Sequence, residues 1–75
     1  MKVIGDQIRK HRQSKGMSIS GLAHKAGVSK SYLSSIERNL QTNPSIHIIE
    51  KLALALNVNV DTLMDFHLQN ERKVN

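Results

Sequence analysis

Apolar residues in this 75-residue chain recur at helical spacing in five short blocks, and the residues between the blocks are ones that interrupt helices. Residues 3–15, VIGDQIRKHRQSK, run up to Gly16. Residues 19–26, ISGLAHKA, follow Ser18, a good N-cap, and stop at Gly27. The third block runs from Ser29 as N-cap to about Asn39. A polar loop, LQTNPS, comes next, and its Asn43-Pro44 pair marks a turn. Ser45 can cap IHIIEKLALALN, the most apolar block, and Asn59 can cap VDTLMDFH, where Asp61 suits the positive end of the helix. Nothing alternates with period two, so strands are not expected. The pattern predicts an all-α, five-helix domain over residues 1–68, with 69–75 a polar, flexible tail.

The core expected from this pattern is almost wholly aliphatic. It comprises Ile4, Ile8, Ile19, Leu22, Ala23, Ala26, Val28, Leu33, Ile36, Leu40, Ile46, Ile49, Leu52, Ala53, Leu56, Val58, Val60 and Leu63. A chain this short lies near the lower limit for folding without staples, and with no cysteine it has neither disulfides nor Cys-based zinc sites to draw on. The four histidines show no metal-ligand spacing, so no metal and no cofactor is expected. No stretch is long and apolar enough to cross a bilayer, and the N-terminus has no signal-peptide core. A soluble cytoplasmic protein is expected. A nucleophile elbow, a phosphate-cradling loop and paired carboxylates are all missing from the sequence, which argues against an enzyme.

The net charge of +5 is unevenly placed. Residues 1–38 carry eight Lys or Arg against two carboxylates, whereas residues 39–75 are slightly acidic. A basic half of this kind is either a solvated face or the footprint of a polyanion.

The third block, SKSYLSSIER, contains four serines, an odd choice for a helix because their hydroxyls compete for the backbone. At about 100° per residue, Leu33, Ile36, Glu37 and Leu40 form one stripe, and Ser31, Ser34, Ser35 and Arg38 form the opposite one. Lys30 and Tyr32 flank the second stripe. Such a face is low, hydroxyl-bearing and basic at its margins. It can approach another surface closely, and its hydroxyls can both donate to and accept from base edges or phosphates. Taken alone, serines at these positions read sooner as plain solvated surface. The segment before them favours the first reading. ISGLAHKAGVSKSYLSSIER fits a helix-turn-helix pattern, with Ala23 small where the second helix packs and Gly27 where the turn needs positive φ. Leu22, Ala26, Val28, Leu33 and Ile36 would supply the contacts between the two helices.

Ile4, Ile8 and Arg12 are spaced by four, which puts Arg12 on the inward stripe of the first helix, where a guanidinium needs an anion. Glu37 is the only carboxylate between residues 7 and 49 and also faces inward. The expectation is an Arg12–Glu37 ion pair joining the first helix to the third, with spare guanidinium donors for a phosphate.

These motifs resemble the XRE family, the Cro and lambda-repressor class of five-helix DNA-binding domains, over residues 3 to about 67. The resemblance implies a bacterial transcriptional regulator, a repressor, that binds double-stranded DNA through residues 29–38 and stays with the nucleoid. By position, Ser29, Lys30, Ser31, Ser34 and Ser35 would meet bases or the groove. Arg12, Ser18, Ser20, Tyr32, Arg38 and Asn43 would meet the backbone. Lys30 suits a guanine edge or a phosphate equally. The resemblance further implies two copies on repeated or inverted sites, and protein partners bound through a C-terminal region beyond the domain. The competing reading is a helical interaction module, an antitoxin for example, whose basic side docks an acidic protein. One departure stands out: Gly21 occupies a position where the family often has Glu, which weakens the second helix by up to about 1 kcal/mol.

Overall fold

The computed structural model describes residues 4–41 and 43–64. The tail expected at 69–75, and the end of the fifth block beyond Met64, lie outside the described residues. Five helices follow one another: α1 (Ile4–Ser14), α2 (Ile19–Ala26), α3 (Lys30–Glu37), α4 (Ile46–Leu56) and α5 (Val60–Met64). No strand occurs among the described residues.

Three of these helices start on the serines the sequence offers. The hydroxyls of Ser18, Ser29 and Ser45 accept from the amides of Gly21, Tyr32 and Ile48. Each thereby satisfies an amide that the helix itself leaves unpaired. Four helices close in one way. The residue after the last turn has positive φ, namely Gly16, Gly27, Asn39 and Asn57. The next amide then reaches back five residues: Met17 to Arg12 (3.1 Å), Val28 to Ala23 (3.0 Å), Leu40 to Ser35 (2.9 Å) and Val58 to Ala53 (3.0 Å). This is the Schellman arrangement, and it reverses the chain sharply enough for short helices to pack around one core.

α2 rests on α3 and α4, while α1 crosses to α3, α4 and α5. Ile8, Leu22, Leu33, Ile36, Leu52, Leu56 and Leu63 are fully buried at the centre. Each such side chain contributes about 1.5–3 kcal/mol relative to exposure. Ile4, Ile19, Ala26, Val28, Val58 and Val60 are half-buried against this cluster.

Two expected core residues are not core. Leu40 is 69 % exposed, because α3 ends at Glu37 and the reversal at Asn39 takes Leu40 off the buried stripe. Ile46 is 50 % exposed, one turn ahead of Ile49 at the very start of α4. Ala55 is buried instead, and Met17, Tyr32, Ile48 and Met64 pack against the cluster.

Candidate nucleic-acid interface

The site is built on the turn between α2 and α3. Only Gly27, Val28 and Ser29 separate the two helices. Gly27 takes φ 75°, ψ 32°, which a residue with a Cβ adopts at a cost, and its amide bonds the His24 carbonyl. Ser29 returns to extended backbone and caps α3. Ala23, 3 % exposed, leaves room for α3 to settle on α2. The inner side of α3 is then occupied by Leu33, Ile36 and Glu37, all buried.

The outer side carries the polar stripe. Lys30, Ser31, Ser34 and Arg38 together line an open depression on this face. No carboxylate pairs with Lys30 or Arg38 among the described residues. The hydroxyls are not equivalent. Those of Ser31 and Ser34 make no hydrogen bond within the described residues. Ser35 donates to the Ser31 carbonyl at 3.0 Å, so its oxygen retains only acceptor capacity toward a partner. Ser29 already accepts from the Tyr32 amide at 3.0 Å and keeps its hydroxyl proton for an outside acceptor. Tyr32 is half-buried, its ring packed against the core.

Behind this face sits Arg12. Its Nε donates to Glu37 Oε2 at 2.7 Å and its Nη2 to Glu37 Oε1 at 2.9 Å, a bidentate pair from α1 to α3. Its Nη1 donates to the Met17 carbonyl at 2.8 Å, while the Arg12 carbonyl takes the Met17 amide. One side chain therefore holds α1, the α1–α2 turn and α3 together. The hydrogen bond to Glu37 and the carboxylate's charge raise the guanidinium pKa above its ordinary value, against the opposing effect of burial. Arg12 consequently stays charged wherever the domain works. Its side chain is 11 % exposed and Glu37's 2 %, and three of the five guanidinium N–H groups are engaged, which leaves two. Reading the sequence missed the Met17 contact, because it depends on how the turn folds back. Nothing in the spacing signals it.

The remaining expected residues surround α3. Ser18 is exposed at the start of α2, its Oγ accepting from Gly21 at 2.9 Å. Ser20 is exposed on α2's first turn. Asn43 is exposed in the loop after α3, its amide donating to Gln41 Oε1 at 3.2 Å. Chemically, the arrangement offers cations, hydroxyls of both polarities and exposed helix N-termini to an anionic surface. No cluster of metal-ligating side chains occurs among the described residues.

A helix-turn-helix family model matches residues 8–63. The chain is 62 % identical over 63 residues to the HTH-type transcriptional regulator SinR of Bacillus subtilis, which covers 84 % of this chain and 57 % of SinR. It therefore spans little more than half the length of that relative. A crystal structure of SinR, a master regulator of biofilm formation, in complex with DNA superimposes with TM-score 0.81 at 61 % identity, covering 83 % of this chain and 98 % of that one. A SinR–SinI protein complex matches with TM-score 0.82 at 57 % identity, over 91 % of this chain and 66 % of that one. With a capped turn, an outward hydroxyl face and these matches over most of its length, the chain belongs to the XRE-type helix-turn-helix family.

Proposed function

We propose that this chain is the sequence-specific, double-stranded DNA-binding domain of a bacterial transcriptional regulator, a repressor of the SinR type. The observation that carries the reading is the depression lined by Lys30, Ser31, Ser34 and Arg38 on the outward side of α3. A helix entering a major groove needs short hydrogen-bonding groups along its leading face and cations at the margins. Ser31 and Ser34 reach base edges, and Ser35 accepts from a base amino group. Lys30 takes a guanine edge or a flanking phosphate. Ser29, Ser18 and Ser20 donate to phosphate oxygens near the two helix N-termini, where the dipole adds attraction. Arg38, Tyr32 and Asn43 hold the backbone, and the two remaining N–H groups of Arg12 reach a phosphate at its slightly exposed edge.

The domain comprises residues 1–68, and its work is binding, with no catalytic step, in the cytoplasm at the nucleoid. Two copies occupy repeated or inverted half-sites, with α3 in successive major grooves. A protein partner is a further expectation, since SinR itself is found in complex with the protein SinI.

Titrating a duplex against the domain at several salt concentrations tests this reading. With about 4–6 phosphates neutralised per domain, log affinity should fall with log salt at about −0.9 per contact. Failure to bind any duplex, with retention of an acidic protein partner at high salt, would replace DNA by a protein as the ligand.

A further inference from the structure

We infer that Gly5 and Asn39 are positioning residues that set how far the outer face of α3 stands from the body of the domain, and hence how deeply it seats in DNA. The inference rests on the DNA-binding reading above and adds a specific control over it.

Gly5 is buried in the first turn of α1. The space where a side chain would begin is already filled: a Cβ there would lie 2.1 Å from the Ile36 carbonyl oxygen, 3.1 Å from its carbon and 2.6 Å from Asn39 Oδ1. α1 and the last turn of α3 thus approach backbone to backbone, closer than any residue with a side chain allows. Of the four glycines, only Gly5 meets another helix's backbone in this way; Gly16 and Gly27 face open space and Gly21 meets the side chain of its own cap.

Asn39 supplies the other half. Its φ of 64° makes the reversal that ends α3, and its amide bonds the Ile36 carbonyl at 3.0 Å, the same carbonyl that lies against Gly5. Its side-chain nitrogen faces Asp6 Oδ1 at 3.4 Å. The Ile36 carbonyl is therefore held from α1 on one side and from the Asn39 turn on the other. Arg38 lies between Ile36 and Asn39 in the chain, so the contact fixes the backbone from which its side chain reaches out. Arg12–Glu37 joins α1 to α3 as well, but through long side chains that tolerate small changes of separation. The Gly5 contact does not.

Gly5→Ala tests the inference in the full chain. The expected result is a folded, helical protein whose affinity for a short random-sequence duplex is about tenfold lower, with a log–log salt slope smaller in magnitude by about one as Arg38 loses its phosphate. Both should be read at a temperature where the variant is fully folded, since a packing role alone would lower the melting temperature and leave these binding parameters unchanged. Should Gly5→Ala fail to fold, the exposed Asn39 decides. Asn39→Ala, which resists positive φ, is expected to lose affinity and slope, and Asn39→Gly, which accepts it, to restore both. Parent affinity and slope in folded Gly5→Ala, or in Asn39→Ala, would overturn the inference while leaving DNA binding intact. A parent chain that binds no duplex would remove both.

Discussion

α3 and α4 each begin behind a serine whose hydroxyl accepts from the amide three residues on, and each runs out into an asparagine with positive φ. They differ in what they turn inward and outward. α4 buries Ile49, Leu52, Ala53, Ala55 and Leu56, and its outer side carries the long side chains of His47, Glu50, Lys51 and an 82 % exposed Leu54. α3 is shorter, buries Leu33 and Ile36 with the charged Glu37, and keeps Ser31 and Ser34 low between Lys30 and Arg38. Helix length and capping, then, do not separate a scaffold helix from a recognition helix. What separates them is the height and valence of the outward side chains, and the use of a buried ion pair where the scaffold uses aliphatic packing.

If the comparison is right, damage to the two helices should read out differently. The largest effect is expected from Leu52→Ala in α4, which opens a cavity at a fully buried site and should cost about 2–5 kcal/mol of unfolding free energy in denaturant titration. The DNA salt slope of the folded fraction should not change. Glu37→Ala in α3 strands the Arg12 guanidinium and should cost about 2–4 kcal/mol. A melting temperature equal to the parent's would refute the clamp. Arg38→Ala, on the outer side, should leave stability within about 0.5 kcal/mol and reduce the magnitude of the DNA salt slope by about one. Smallest is Gly21→Ala on α2, which gains up to about 1 kcal/mol of helix propensity less the small shift of Ser18 Oγ, 3.1 Å from the new Cβ, and should change DNA affinity less than Arg38→Ala does.

Arg12 also predicts a pH dependence. Its pKa is raised in the folded state, so the stability it contributes is fully present below the ordinary guanidinium value and is lost only as pH rises above it. Comparing the parent with Arg12→Met should therefore give a stability difference that stays flat from neutral pH through pH 10, as far as the guanidinium governs it.

Much of this was legible in the residues themselves. Ser18, Ser29 and Ser45 marked helix starts because a short hydroxyl is the common solution for an unpaired amide, and Gly16 and Gly27 marked ends for the matching reason at the other terminus. Arg12 and Glu37 were legible because spacing put both on inward stripes. Asn39 and Asn57 closed the third and fourth blocks in the pattern, but asparagine is as ordinary in a loop as at a helix end, so the positive φ that reverses the chain at Asn39 was not legible. Leu40 was therefore placed on the buried stripe although the reversal takes it off. Ala55 escaped because alanine marks no face strongly. The Ser35 hydroxyl partner, the Met17 carbonyl and the Gly5 contact depend on chain paths that periodicity does not encode.

The most direct measurement is a backbone amide map of the labelled chain titrated with duplex DNA. The account predicts shifts concentrated in residues 29–38, with the amides of Ile46–Leu56 largely still. Perturbation centred on α4, with residues 29–38 unmoved, would contradict it.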